Sequence, residues 1–300
     1  MSTRLEVTKT YKLFIGGKFP RTESGRSLKI ESAEGEVLAH LCHASRKDLR
    51  DAVEAAAKAQ PGWGGATPYN RGQVLYRMAE MMEGKREEFA EAILATSKSR
   101  ARPKRLAATR RGALNEVDAT IDRLVCFGGW ADKYAQVLGC NNPVAGPHYN
   151  FTVPEPTGIV GVVAPDEPPL LGLISLIAPP LCAGNAVIAI SSDLHPLPAA
   201  ILGEVCATSD VPAGVVNILT GQRNELLEHL ANHREVNAIS AANLSRQAKA
   251  TLELGAAENV KRVRVDTIRE EEWLDEDVCH SPWRIEPFVE MKTIWHPSAT

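Results

Sequence analysis

The sequence predicts an α/β fold organised around a parallel β-sheet, and two observations support this class. First, a strand-like run, Ile159–Ala164, is followed by a helix-length apolar stretch, Leu170–Leu181, and by a second apolar strand, Ala186–Ile190. Two strands joined through a helix in this way are parallel, and the crossover is right-handed in nearly all proteins. Second, strands and helices continue to alternate as far as Val265, as in a parallel sheet covered by helices.

The boundaries of this central unit follow from its prolines. Pro165–Pro169 ends the first strand, and Pro179-Pro180 is expected to stop the helix near Leu181. Ligands of open parallel sheets bind outside the carboxyl ends of the strands. The loops Pro165–Pro169 and Ser191–Asp193 follow the two strands, so we expect any ligand to lie against these loops.

The N-terminal part is predicted to hold a hairpin and an amphipathic helix. Tyr11–Phe19 is predicted to form a β-hairpin with Gly16-Gly17 at its turn. Ser45 is expected to open a helix, because Asp48 follows it at the spacing of a capping box. Apolar residues then recur on one face of this helix, at Leu49, Ala52, Val53, Ala56 and Ala57.

Beyond the central unit, the alternation defines five further elements and two flanking segments. The elements are helices at His195–Thr208, Glu225–Ala231 and Ser245–Gly255, and strands at Glu235–Ser240 and Lys261–Val265. Gly255 is expected to end its helix, since glycine readily takes the left-handed conformation of a helix C-terminus. Leu138–Val153 is expected to be strand and turn, and Pro287–Trp295 a further strand.

Composition narrows the class of protein. The chain has 300 residues and a formal net charge of −3, which gives no general affinity for nucleic acids or membranes. Its N-terminus lacks the apolar core of a signal peptide, and its longest apolar run is short for a bilayer. Six cysteines are scattered without Cys-x-x-Cys spacing, so we expect buried, reduced thiols rather than disulfides or a metal site. These features predict a cytoplasmic protein.

A dense basic run, Lys98–Arg111, has three readings that the sequence leaves open. It can be a solvated helix face, a phosphate or nucleic-acid site, or a contact for the acidic residues of segment Glu270–Asp277. The second reading would call for interleaved aromatic residues or a glycine-rich loop, and the run has neither.

Several long motifs resemble the cofactor domain of the aldehyde dehydrogenase family. Glu155–Gly161 (EPTGIVG) resembles the family's EPxGVVG, and Ala178–Asn185 (APPLCAGN) resembles APALAxGN. Val211–Gly221 (VPAGVVNILTG) is similar to FPPGVVNIVTG, and Pro287–Trp295 is similar to a C-terminal strand of the family. The resemblance implies a doubly wound, Rossmann-like cofactor domain with a small β oligomerisation arm.

The resemblance also implies a domain organisation. Residues 1–137 and 154–268 correspond to the NAD-binding-like domain, and residues 138–153 and 283–300 to the oligomerisation arm. Residues 269–282 are expected to be an acidic linker that replaces the catalytic domain, because no segment resembles the one that carries the family's nucleophilic cysteine. The chain thus resembles a truncated member of the family.

At the family's functional positions the chain departs from the pattern. The oxyanion-hole asparagine falls on Glu167, whose carboxylate would repel a developing oxyanion. The lysine that holds the NAD ribose falls on Ile190, which has no donor. The carboxylate three residues later survives as Asp193, and the general-base glutamate falls on Glu253.

The resemblance leaves few positions for a cofactor. Pro165, Asp193 and Gly221 are the weak candidates for NAD(P) contacts. The family's TGxG falls on Thr220-Gly221-Gln222-Arg223, so its second glycine is an arginine here. We expect NAD(P) binding to be weak or lost.

Three functions are compatible with these residues. The first is a catalytically inactive subunit with a structural or regulatory role in an oligomer, either a homo-oligomer such as a dimer or a hetero-oligomer with a full-length aldehyde dehydrogenase. The second is a working NAD(P)-dependent oxidoreductase acting on an aldehyde. The third is a nucleotide or small-molecule binder without catalysis. No nucleic-acid or membrane partner is expected.

Overall fold

The computed structural model describes residues 7–32, 35–97 and 109–298. The strands are β1 (Thr10–Tyr11), β2 (Ser27–Glu31), β3 (Val37–Cys42), β4 (Cys140–Asn142), β5 (His148–Pro156), β6 (Ile159–Val163), β7 (Ala186–Ile190), β8 (Val216–Leu219), β9 (Ala238–Ala242), β10 (Arg262–Asp266) and β11 (Val289–Pro297). The helices are α1 (Arg46–Gly65), α2 (Pro68–Glu83), α3 (Arg86–Ser97), α4 (Arg110–Trp130), α5 (Tyr134–Leu138), α6 (Leu171–Ala183), α7 (Leu197–Thr208), α8 (Arg223–Asn232), α9 (Arg246–Ala257) and α10 (Glu276–Cys279).

The central sheet is parallel and doubly wound. Its strand order is β10-β9-β6-β7-β8, so the chain moves outward from β6 in one direction and then returns to the other side of β6. Alternate residues of β7 join two separate cores: Val187 and Ala189 pack with α2, α4, α6 and α7, and Ile188 and Ile190 pack with α1, α8 and α9. Helices therefore cover both faces, and the fold class predicted from sequence is confirmed.

The helix of the central unit passes through its prolines instead of stopping at them. Helix α6 contains Pro179 and Pro180 and ends at Gly184, which has a φ of +97° and donates to the carbonyl groups of Leu181 and Pro180. The expected stop near Leu181 is therefore wrong by two residues. The left-handed glycine, which no L-residue replaces without strain, ends the helix.

The N-terminal prediction is correct for the helix and only partly correct for the hairpin. Ser45 Oγ accepts the Asp48 N–H at 3.3 Å and the Asp48 carboxylate accepts the Ser45 N–H at 2.7 Å, which is a capping box. The hairpin forms around the Gly16-Gly17 turn, where Ile15 and Lys18 exchange backbone hydrogen bonds at 3.0 Å. Its predicted first residue, Tyr11, belongs to β1, which pairs in parallel with β3. Phe14 exchanges hydrogen bonds with Ile218 at the edge of the central sheet.

Gly255 does not end its helix. Helix α9 continues to Ala257, and a Cβ at Gly255 would lie 2.6 Å from the Ala231 Cβ and 2.7 Å from Asn232 Oδ1. The missing side chain allows α9 to approach α8 closely. Packing, and not helix termination, explains this glycine.

A second sheet, the arm sheet, forms from distant parts of the chain. It has the order β11-β5-β4, with β11 antiparallel to β5 from Val289 opposite Pro156 to Pro297 opposite His148. Strand β11 begins and ends two residues later than predicted. Thr293 is paired with Thr152, and their hydroxyl groups lie 2.8 Å apart.

The acidic segment 269–282, which was predicted to be a linker, contacts helix α4. It forms a short 3₁₀ helix, Glu271–Leu274, followed by α10. Trp273 is only 1% exposed, and the buried Arg123 of α4 donates to its carbonyl oxygen at 2.8 Å. The indole N–H of Trp130 donates to the His280 carbonyl at 3.2 Å. One apolar anchor thus holds a segment whose acidic side chains face solvent.

Two further predictions concern the outside of the molecule. Most of the basic run, residues 98–108, lies outside the described residues; at its end, Arg110 forms an ion pair with Glu87 at 2.5 Å. Among the described helices, none combines the length and the apolar character needed to cross a bilayer.

Candidate functional site

The candidate site lies at the carboxyl edge of the central sheet. Parallel strands end on the same side, so the loops that follow β6, β7 and β8 meet there. These loops carry Pro165, Asp193 and Gly221, the three candidate cofactor residues. The chain reverses direction between β6 and β9, which is the switch point where ligands of such sheets bind.

Asp166 is the centre of a hydrogen-bond network at this edge. Its Oδ1 accepts from the Ser192 hydroxyl at 3.0 Å, from the Asp193 N–H at 3.1 Å and from the Arg223 guanidinium. The Ser192 hydroxyl also accepts the His195 N–H at 2.9 Å. The network ties the loop after β6 to the loop after β7.

Arg223 closes the network from the first turn of α8. Its backbone N–H donates to Asp193 Oδ1 at 2.8 Å, and its Nε lies 3.7 Å from Asp193 Oδ2. The arginine side chain is only 8% exposed, whereas the two carboxylates it meets, Asp166 and Asp193, are about a third exposed. Burial raises the pKa of Asp193, and the charge of Arg223 opposes that shift.

Sequence reasoning singled out Asp193 but not the partners that hold it. Asp166 stands where the family motif PWNFP has tryptophan, and Arg223 stands at the second glycine of TGxG. Asp166 follows β6 and Arg223 follows β8, and β7 lies between these two strands in the sheet. The coupling of the two residues depends on tertiary geometry, which the two separate motifs do not show.

The other two candidate cofactor residues have structural explanations. A Cβ at Gly172 would lie 2.3 Å from Pro165 Cγ, so the proline ring packs directly on the first turn of α6. A Cβ at Gly221 would lie 3.1 Å from the Ala44 amide nitrogen and 3.2 Å from the His43 ring. Gly221 therefore allows the start of α1 to pack against the end of β8.

The two degenerate catalytic positions lie on different elements, a loop and a helix. Glu167 is half-buried in the loop after β6. Glu253 lies on the third turn of α9, about 10 Å along the axis from its start, where its half-exposed carboxylate faces Lys249 at 3.7 Å. Ile190, at the position of the family's lysine, is fully buried in the core beneath α1 and α8.

Three of the six cysteines, Cys126, Cys182 and Cys206, have surroundings that disfavour a thiolate nucleophile. All six are free; four are buried, Cys126 is half-buried and Cys140 is exposed, so the expectation of buried thiols holds for only part of the set. Burial raises the pKa of Cys206 to about 12 and also raises the pKa of Cys182 and Cys126. The Cys279 thiol is buried and donates to the Glu272 carbonyl at 3.3 Å.

No metal-binding group of three or more His, Cys, Asp or Glu side chains is present within residues 7–32, 35–97 and 109–298. At the ends of β6, β7 and β8, the groups that interact are one arginine, two aspartates and neighbouring hydroxyl and amide groups. This set forms a closed internal ion-pair network.

Comparison with known proteins identifies the class. The sequence profile of the aldehyde dehydrogenase family matches residues 20–267. The chain therefore belongs to the aldehyde dehydrogenase family, and the resemblance seen in its motifs is confirmed.

Relatives show which part of a family member this chain corresponds to. A 2-hydroxymuconic semialdehyde dehydrogenase of Pseudomonas sp. (strain CF600) is 34% identical over 266 residues, covering 85% of this chain and 51% of that protein. Cytosolic 10-formyltetrahydrofolate dehydrogenase of Mus musculus is 32% identical over 272 residues, covering 88% and 29%. An NAD+ complex of an aldehyde dehydrogenase from Bacillus cereus superposes with a TM-score of 0.78 at 25% identity, covering 86% and 51%. The chain thus spans about half, or less, of the length of these relatives.

Proposed function

We propose that this chain is a non-catalytic member of the aldehyde dehydrogenase family that acts as a structural or regulatory subunit of an oligomer. The observation that carries the proposal is the position of Arg223. Its guanidinium occupies the carboxyl edge of the sheet and is neutralised by Asp166 and Asp193. At the edge where a dinucleotide would bind, the charged groups of the chain are instead paired with one another.

Covalent aldehyde oxidation has requirements that these residues do not meet. It needs a thiolate nucleophile, donors for the oxyanion, a hydride acceptor and a base. Burial keeps Cys182 and Cys206 protonated at neutral pH. Glu167 offers an acceptor where a donor is needed, and Glu253 faces Lys249 on a helix surface.

The residues at the edge also fit an NAD(P) dinucleotide poorly. Asp193, which could accept from a ribose hydroxyl, already accepts the Arg223 N–H. Ile190 has no donor for the ribose. A ligand would have to break the ion pairs of Arg223 and leave a guanidinium that is 8% exposed without its partners, which is unfavourable.

The first test combines NAD+ titration by calorimetry with an aldehyde-oxidation assay on the purified chain. We expect weak NAD+ binding and no formation of NADH from simple aldehydes. Arg223→Gly keeps the N–H that Asp193 accepts but removes the guanidinium, so it should tighten NAD+ binding by roughly tenfold, the value of one lost charge-assisted interaction. Arg234→Gly, at an exposed arginine just beyond α8, is the matched control and should leave binding unchanged.

Two results would overturn the proposal of a non-catalytic protein. One is low-micromolar NAD+ affinity of the unmodified chain. The other is NADH formation that a single cysteine substitution abolishes. If Arg223→Gly and Arg234→Gly behave alike, the ion pairs of Arg223 do not limit cofactor access.

The arm sheet supports the oligomeric part of the proposal. Strand β11 is an edge strand of nine residues, and long exposed edges attract further strands. It carries Met291 and Trp295, which are 49% and 59% exposed, and Tyr149 on the adjacent strand is 51% exposed. Large apolar side chains on a small exposed sheet are typical of an interaction surface.

We expect light scattering to show an oligomer, with a homodimer as the first alternative. Met291→Lys combined with Trp295→Lys should shift the protein towards monomer, because both side chains face the same side of β11. Trp283→Lys alters an equally exposed tryptophan, 58% exposed, that lies outside the three strands of the arm sheet, and it is the control. A monodisperse monomer of the unmodified chain would contradict homo-oligomerisation. Capture of a full-length aldehyde dehydrogenase by that monomer would then select the hetero-oligomer.

We place this oligomer in the cytoplasm. Six free cysteines are compatible with a reducing compartment. One relative is named as a cytosolic enzyme, the 10-formyltetrahydrofolate dehydrogenase of Mus musculus.

A further inference from the structure

A second candidate site lies between helices α1 and α8, away from the Arg223 network. A cavity of about 230 Å³ opens there, lined by Arg46, Leu49, Arg50, His229, Asn232 and His233. Its walls are the first two turns of α1 and the last turns of α8. Arg223 and His233 lie at opposite ends of α8, about 15 Å apart along the axis, so the cavity is separate from the carboxyl edge of the sheet.

The two charged side chains that line this cavity, Arg46 and Arg50, are both cations. Two arginines and two histidines face it together with one amide, and no carboxylate lines it. The chain as a whole has a net charge of −3, so this concentration of basic groups is local. A concave site lined by one sign of charge concentrates ions of the opposite sign.

Arg46 lies at the mouth of the cavity with an exposed side chain. No ion pair or hydrogen bond holds its guanidinium within the part of the chain that the structure describes. It occupies the first turn of α1, where the positive end of the helix dipole disfavours a cation. A bound anion would interact favourably with the positive end of the helix dipole and with the neighbouring cations.

Arg50, the second arginine, remains available to a ligand. Its contacts with Asp51 at 3.1 Å and with Glu54 at 3.5 Å join side chains that are about half exposed. Exposed ion pairs of this kind contribute little to stability, so a ligand can readily replace one of the two partners. The planar guanidinium of arginine matches the geometry of phosphate oxygens better than that of any other side chain.

An adjoining cavity indicates what the rest of the ligand is like. It measures about 620 Å³ and shares Arg50 and His233 with the first, so the two cavities adjoin, and together they are called the groove below. Val53 and Ala57 form its apolar floor, and the carboxylates of Glu54 and Glu235 lie at its sides. Carboxylates accept hydrogen bonds from hydroxyl groups, which a polar ligand body would supply.

We propose that the groove between α1 and α8 binds a small phosphomonoester whose body carries hydroxyl groups. Arg46, Arg50 and His229 hold the phosphate in the smaller cavity. The body lies over Val53 and Ala57, and Glu235 accepts from its hydroxyl groups. This site does not depend on the Arg223 network or on the loss of NAD(P) binding.

The test titrates the purified full chain with inorganic phosphate, ribose 5-phosphate and ribose by calorimetry. We expect saturable binding of both phosphates, tighter binding of ribose 5-phosphate, and none of ribose. Arg46→Glu should weaken the binding of both phosphates about tenfold or more, because it removes a charge-assisted donor and adds a repelling charge. Glu235→Gln should weaken the binding of ribose 5-phosphate and leave the binding of inorganic phosphate unchanged.

Lys47→Glu is the matched control for Arg46→Glu. It makes the same change of charge one residue away, but Lys47 faces Glu23 at 3.5 Å and does not line the cavity. Binding should survive in this variant. Absence of saturable phosphate binding in the unmodified chain, or equal losses in Arg46→Glu and Lys47→Glu, would overturn the proposal. Unchanged circular dichroism of both variants separates these results from unfolding.

Discussion

Replacing Trp273 with alanine is expected to lower the free energy of unfolding by about 3–5 kcal/mol. The side chain is 1% exposed and is among the largest that are fully buried. It packs in the same core as Phe127 of α4 and Ile174 of α6, and its removal would leave a cavity there. Urea denaturation followed by circular dichroism measures the change.

Two further substitutions test the reason for this loss. Trp273 Nε1 is buried and has no hydrogen-bond partner among the residues that the structure describes. Trp273→Phe should therefore cost much less than Trp273→Ala, since it keeps most of the volume and removes an unsatisfied donor. Trp283→Ala, at an exposed tryptophan, should change stability by less than about 0.5 kcal/mol. Equal losses in Trp273→Ala and Trp283→Ala would refute the anchoring role of Trp273.

Replacing Glu116 with alanine is expected to cost about 2–4 kcal/mol, because two charge-assisted hydrogen bonds at a helix start are lost. The Glu116 carboxylate accepts the backbone N–H groups of Leu170 at 2.9 Å and Leu171 at 3.2 Å. It reaches these amides from α4 and is only 3% exposed. Without it, the first amides of α6 stay buried without an acceptor.

Glu116→Gln is the informative companion. Both N–H groups donate to the same oxygen, Oε1, so an uncharged amide oxygen in its place can still accept both, and we expect a clearly smaller loss than for alanine. Thermal unfolding of both variants provides the comparison. If alanine and glutamine cost the same, or if neither changes stability, the hydrogen bonds of Glu116 at the start of α6 do not stabilise the fold.

Much of the fold could be predicted because local chemistry and tertiary structure agree. The strands β6 and β7 are continuous apolar runs, and buried parallel strands require such runs. Ser45 and Asp48 form the expected capping box because both partners lie within one turn. Where the prediction was wrong, a distant contact decided the outcome. Position 255 requires glycine because a side chain there would collide with Ala231 on another helix.

The candidate site was predictable only in part, for a related reason. Its place at the carboxyl edge follows from topology, and Asp193 follows from a motif. The Asp166–Arg223 pair joins residues 57 positions apart, each of which is unremarkable in its own segment. The single tryptophan in an acidic stretch was likewise insufficient to predict that Trp273 would be buried, because the surrounding charges are typical of a solvated linker.

The pairing of β5 with β11 sets the order in which the molecule can be assembled. Pro156 pairs with Val289, so the two strands can pair only after the chain between them has been synthesised. Closing a loop of this length between disordered ends costs about 4 kcal/mol of chain entropy. The strands of the parallel sheet lie between β5 and β11 in the sequence. Once this sheet has formed, it shortens the length of disordered chain that separates β5 from β11. We therefore expect the arm sheet to form last during folding. The apolar residues of β5 would stay exposed until β11 pairs with it.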